Sequence, residues 1–220
     1  MDEQISSSSL SPEVNFNNKK DLWLSLTAGF LCGLLFIPYY KIMGKTEVGL
    51  WKGLLFVIGF SAFAPIGMTV AFWLRKKMMI FYQVAKFILV GGLNTLVDWG
   101  VLALLIGLVG APTDPVYIGF KGFSFVAAST NSYFWNKFWT FQKNNETKKE
   151  EGGSKEFLKF FIVSLIGFAL NLGVAYLIVR VLGVQFGFNG NQWKLVGAMA
   201  GTIAGLVWNF LGYKLVVFKE

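Results

Sequence analysis

KFILVGGLNTLVDWGV, residues 86–101, and KFFIVSLIGFALNLGV, residues 159–174, decide how this chain is read. They are one helix written twice, 73 residues apart. Each is apolar enough to cross a bilayer, which takes about 20 residues. Each also carries polar and small residues on one face, a turn or two apart. In the first these are Gly91, Asn94 and Asp98; in the second, Ser164, Gly167 and Asn171. A second match closes each unit. SYFWNKFWTF at 132–141 and NFLGYKLVVF at 209–218 are 77 residues apart and share a Lys four residues before a Phe. Each unit is therefore two helices long. A two-helix unit repeats with unchanged orientation, so an axis along the membrane normal should relate the two.

Composition places the rest of the chain in the same solvent. Of 220 residues, 55% are hydrophobic and 15% charged, against about 25% charged in soluble domains. Mean hydropathy is +0.55. The sequence contains no His, which removes imidazole bases and most zinc sites. Neither a metal nor a cofactor is expected. The single Cys, Cys32, lies in an apolar stretch and reads as a packing residue. A net charge of +8 would suggest nucleic acid on a soluble protein. Here it reflects basic loops against anionic headgroups, and no nucleic-acid partner is expected.

Charges bracket six candidate spans: residues 22–40, 53–74, 87–109, 116–136, 160–179 and 195–213. The expected fold is an all-α membrane protein whose last four helices form two parallel-topology repeats, 83–142 and 156–219. Residues 21–80 read as an additional hairpin, and residues 1–20 as a disordered cytosolic tail. Six spans put both termini on one side. Fourteen Lys and Arg fall on that side and six on the other, so the positive-inside rule puts both termini in the cytoplasm of a multi-pass cell-membrane protein. The loop QKNNETKKEEGGSK, 142–155, reads as a mobile cytosolic linker. GAPTDP and GVQFGFNGNQ read as short outer turns.

FILVGGLNTLVDWGV, then TNSYFWNKFWTF, then a second Lys-Phe helix and a closing WNFLGYKLVVF, together resemble the GtrA-like family of small membrane proteins over about residues 81–219. The resemblance implies movement of polyprenyl-phosphate-linked monosaccharides across the membrane for polysaccharide or wall glycosylation. It implies a lipid-linked sugar as partner, with a membrane glycosyltransferase beside it. Family members typically have four helices, so the N-terminal pair is a departure. Ser132 stands where the family favours Asn, with Asn131 beside it, and Tyr213 stands where the first unit has Asn136.

The polar residues have functional and structural readings side by side. Asp98 is about 18 Å along the helix from Lys86, near the bilayer centre. A charge there costs at least about 2.5 kcal/mol on insertion scales, so it should face protein or water. Asp98, Asn94 and Asn171 form a polar track for sugar hydroxyls or a proton; alternatively Asp98 pairs with Lys121. Lys86, Lys137, Lys159 and Lys214 fall at the inner ends of four helices and could hold a lipid phosphate, or serve only as topology signals. Asn131, Asn136 and Asn209 add donors and acceptors where a headgroup enters. Tyr133, Trp135, Trp139, Trp208 and Tyr213 read as an interfacial aromatic belt. Gly197, Gly201 and Gly205 allow close helix approach, within the chain or in a homo-oligomer. No GxxxxGK[ST] is present. No soluble catalytic domain is evident, so no enzyme activity is expected. The alternatives to a lipid-sugar carrier are a proton-coupled exporter of small molecules and a non-catalytic anchor for a glycosyltransferase.

Overall fold

The computed structural model describes residues 18–42, 49–74, 79–110, 113–141 and 153–218. The tail up to residue 17 and the linker at 142–152 lie outside the described residues. Six helices follow in order: α1 (Asn18–Ile42), α2 (Leu50–Leu74), α3 (Met79–Val109), α4 (Asp114–Trp135), α5 (Gly153–Tyr176) and α6 (Gly190–Gly212). Helix α1 thus takes in residues 18–20 of the expected tail. Five of the six helices are long and apolar enough to cross a membrane. The other is α4, whose apolar run is interrupted by Lys121, Ser124, Ser129, Asn131 and Ser132. The protein is an all-α membrane protein.

In a bilayer, helices are not driven together by the hydrophobic effect, so close packing must hold them. The chain achieves this with small residues in two places. A β-carbon at Gly29 would lie 2.3 Å from the Phe60 carbonyl oxygen, and one at Gly33 would lie 2.5 Å from the Val57 Cα. Helices α1 and α2 therefore touch backbone to backbone. Helices α5 and α6 do the same: a β-carbon at Gly201 would lie 2.3 Å from the Asn171 carbonyl oxygen. The GxxxG spacing of α6 serves this contact within the chain.

The N-terminal hairpin is built into the molecule. Ala28 and Cys32 of α1 bury against Leu93 and Leu96 of α3, while Met68 and Ala71 of α2 join Tyr82, Val90 and Trp139. Asp21 is 5% exposed and Lys86 7%, and their charges pair at 2.8 Å. Removing one partner of a buried pair costs about 3–5 kcal/mol, because the other charge is stranded.

Both closing motifs depart from the α-helix in the same way. Asn136–Thr140 and Tyr213–Val217 are π turns at positions related by the 77-residue offset. Phe141 donates its backbone N–H to the Asn136 carbonyl at 2.8 Å, and Phe218 donates to Tyr213 at 2.7 Å. Such turns are rare and frequently lie at functional sites. A third, Leu177–Leu182, ends α5, where the Trp193 indole donates to the Ile178 carbonyl at 2.9 Å. The turn after it ends in a capping box, with Asn189 and Gln192 each satisfying the other's backbone N–H.

Candidate functional site

The two hairpins meet at the ends where Lys-Phe enters and the closing motifs return. The core there comprises Phe87, Tyr133, Phe141, Phe160, Val163, Phe210, Tyr213, Val217 and Phe218. Its rings pair off under the sequence offsets. Phe87 to Phe210 is 5.5 Å between centroids, and its counterpart Phe160 to Tyr133 is 5.6 Å. Phe87 to Phe141 is 6.4 Å, and Phe160 to Phe218 is 6.2 Å. Phe141 and Phe218, counterparts of each other, stack at 5.5 Å. These matched distances describe a local two-fold arrangement whose axis passes between those two rings. Offset and edge-on ring pairs add about 0.5–1.5 kcal/mol each beyond their buried area.

The lysines of the closing motifs cross from one hairpin to the other. Lys137 reaches Glu156 at 3.0 Å, and Lys214 donates to the Gln83 side-chain oxygen at 2.9 Å. Gln83 and Glu156 are themselves 73 residues apart, so the two ties are counterparts, one charged and one neutral. Glu156 also accepts from the Tyr133 hydroxyl at 2.7 Å. Lys86 instead turns to α1: Asp21 takes it, and also accepts from the Tyr82 hydroxyl at 2.7 Å and the Trp139 indole N–H at 2.9 Å. Lys159 is half-buried next to Phe160. The aromatic residues expected to face the interface divide: Trp135 is half-buried and Trp208 is 39% exposed. Tyr133, Trp139 and Tyr213 are buried, and the Trp208 indole donates to the Val163 carbonyl at 3.1 Å.

Farther along the helices, Asp98 of α3 pairs with Lys121 of α4, and the Ser124 hydroxyl donates to its other oxygen at 2.6 Å. The Lys121 side chain is 44% exposed and that of Asp98 18%. In the second hairpin the counterparts of Asp98 and Ser124 are Asn171 and Gly201. They too are in contact, since a β-carbon at Gly201 would lie 3.0 Å from the Asn171 side-chain oxygen. The same face meets in both hairpins, through charge in one and through a missing side chain in the other. One turn nearer the aromatic core, Gly167 makes room for Asn209, whose side-chain oxygen would lie 2.1 Å from a β-carbon there.

Several polar atoms along this path are buried with no hydrogen-bond partner among the described residues: Asn94 Oδ1, Asn131 Nδ2, Asn136 Oδ1, Thr140 Oγ1 and Asn209 Oδ1. Four of the five belong to the first hairpin. Asn136 is 1% exposed and uses only its amide nitrogen, on the Ser132 carbonyl and hydroxyl. Its counterpart Tyr213 is satisfied by Ser164 at 2.7 Å. Each stranded buried group costs about 1–3 kcal/mol, so each calls for a partner. The sequence reading had included all four asparagines. It missed Thr140, whose Thr-Phe setting carries no polar signal, and Asp21, which lies more than sixty residues from Lys86 in the chain.

Comparison with known proteins agrees with this architecture. The family model described as GtrA/DPMS, transmembrane domain, matches residues 86–218. The "Uncharacterized membrane protein YngA" of Bacillus subtilis (strain 168) is 30% identical over 135 residues, which is 61% of this chain and 78% of that protein. No solved structure matches the chain. Helix α3 from Lys86 onward and helices α4 to α6, with both closing turns, thus fall within the matched region, and the chain belongs to the GtrA/DPMS transmembrane-domain family.

Proposed function

We propose that the protein moves a polyprenyl-phosphate-linked monosaccharide across the cytoplasmic membrane for polysaccharide or wall glycosylation, with both termini in the cytoplasm. The supporting observation is the set of buried, unpartnered polar atoms of Asn94, Asn131, Asn136 and Thr140 in the first hairpin. A sugar hydroxyl both donates and accepts, so it can satisfy amide oxygens and an amide nitrogen alike. Bilayer lipid offers no such partner. Beyond these residues the Asp98–Lys121–Ser124 group extends the polar face along the helices. Lys137, Lys159 and Lys214, near the aromatic core, supply positive charge for the phosphate, with the cross-hairpin ties as the contacts a ligand exchanges. The lipid tail stays in the bilayer and only the headgroup crosses.

Proteoliposomes holding the purified protein and a labelled prenyl-phosphate sugar test this. Headgroup appearing on the far face at a rate above protein-free vesicles is the expected result. A rate equal to the protein-free control overturns the reading.

One observation favours a second reading, a non-catalytic membrane partner of a glycosyltransferase. Lys86, Lys137 and Lys214 all engage groups of this chain, as they would in a fixed scaffold. Normal glycosylation in cells carrying Asp98→Asn, Asn94→Leu and Asn171→Leu together decides for it.

A further inference from the structure

The family domain begins at Lys86. Lys86 and Trp139 are thus within it, while Asp21, the acid that joins them, comes from the hairpin outside it. Three donors converge on this one carboxylate. Lys86 Nζ and the Tyr82 hydroxyl reach Oδ2 at 2.8 and 2.7 Å, and Trp139 Nε1 reaches Oδ1 at 2.9 Å. All four side chains are buried, and the Lys86 ammonium also lies 4.8 Å from the centre of the Tyr82 ring. The set of one cation and two neutral donors spread over two oxygens suits any compact oxyanion, and a phosphate best, because charge-assisted bonds of this length are the strong ones.

Met68, Ala71 and Val90 pack around Tyr82 and Trp139, so the seat lies in apolar surroundings. A buried lysine requires a counter-charge. The second hairpin has no matching seat: the counterparts of Tyr82 and Trp139 there are Lys155 and Val216.

We infer that Lys86, Tyr82 and Trp139 form a phosphate seat for a prenyl-phosphate lipid, and that helix α1 closes it with the carboxylate of Asp21. The added hairpin is then a built-in competitor of the lipid headgroup, released when α1 tilts away from α3. This rests on the reading of the chain as a binder of phosphate-bearing lipid, and it adds a site and a means of control that the four-helix domain alone does not contain.

The test uses the full chain in detergent and reads its thermal midpoint. Asp21→Asn strands the Lys86 charge and lowers the midpoint. A short prenyl monophosphate at a hundredfold excess over its Kd should then raise it by about 5 °C, while the wild type moves far less. The prenyl alcohol of equal length should do nothing. Adding Lys86→Met should restore the midpoint without ligand and abolish the response. Equal shifts in wild type and Asp21→Asn, or no shift in Asp21→Asn, overturn the seat. An equal response to inorganic phosphate or to phosphatidylglycerol overturns its assignment to prenyl phosphate. If Asp21→Asn does not fold, Asp21→Ser removes the same charge while leaving all three seat donors in place and should give a shift in the same direction; none overturns the proposal. Translocation is not read here. A wild type that carries headgroup while Asp21→Asn gains no shift sinks the seat alone. A seat that fills in a protein moving nothing sinks the transport reading alone.

Discussion

The first hairpin, α3 with α4, and the second, α5 with α6, follow one plan and hold together by opposite means. The second is closed by absence. Gly167, Gly201 and Gly205 let backbone and amide side chains touch, and Tyr213 finds Ser164. The first puts Asn94, Ser124 and Ala128 at the counterpart places, joins helices through the Asp98–Lys121–Ser124 group, and leaves four polar atoms unpaired. One copy of the repeat has become a packed support and the other a polar surface.

The change most able to break this contrast is Gly201→Val. Its β-carbon would meet the Asn171 carbonyl at 2.3 Å, and two backbones cannot both move out of a glycine-lined contact. Loss of more than about 3 kcal/mol is expected, seen as a failure to elute as a single species after detergent extraction. A variant that elutes and melts like the wild type would show that the second hairpin is not closed by glycine.

Next in size is the charge group of the first hairpin. Asp98→Asn should cut headgroup translocation about tenfold or more, while extraction yield changes little. Exchanging the charges, Asp98→Lys with Lys121→Asp, should recover the melting midpoint and not the transport. Recovery of both would make the pair a packing device, and the two hairpins would then differ only in how they pack.

A smaller and opposite effect is expected at Asn94. Replacing it by Leu removes a buried oxygen that has no partner among the described residues, so stability should hold or rise by about 1 kcal/mol while translocation falls. A fall in both would mean that the amide is a structural element, as Asn209 is beside Gly167. Smallest of all is Gln83→Glu. It turns the neutral Lys214 tie into a counterpart of Lys137–Glu156, and a gain of about 0.5–1 kcal/mol is expected from an interfacial ion pair. A thermal midpoint that falls would show that the two ties are not equivalent.

Much of the site was legible because its signal is local. An Asp in the middle of an apolar helix, or an Asn at each turn of the same face, stands out where every neighbour is Leu, Val or Phe. Asp98 and its two readings came from such contrast, and Lys121 at its expected reach did pair with it. Three things were hidden. The aromatic residues looked like an interfacial belt, since composition does not say whether a ring faces lipid or protein; Tyr133, Trp139 and Tyr213 face protein. The π turns were invisible because NKFWTF and YKLVVF suit an α-helix equally well. Lys86 read as free for a phosphate, since its acid arrives from a helix that the repeat pattern leaves out.

By itself the sequence determined an all-helical membrane protein, the duplication of its second half and the face on which polar residues gather. Those follow from hydropathy, period and spacing, which act within one helix or between two copies of it. Only the tertiary structure decided that Lys86 meets Asp21 and Lys137 meets Glu156, that the N-terminal hairpin docks on α3 through Asp21, and that glycine contacts close one repeat while the other holds four of the five unpartnered polar atoms. These depend on where separate helices come to lie against each other. In lipid that is governed by side-chain shape and by the pairing of a few polar groups across helices, which no single segment encodes.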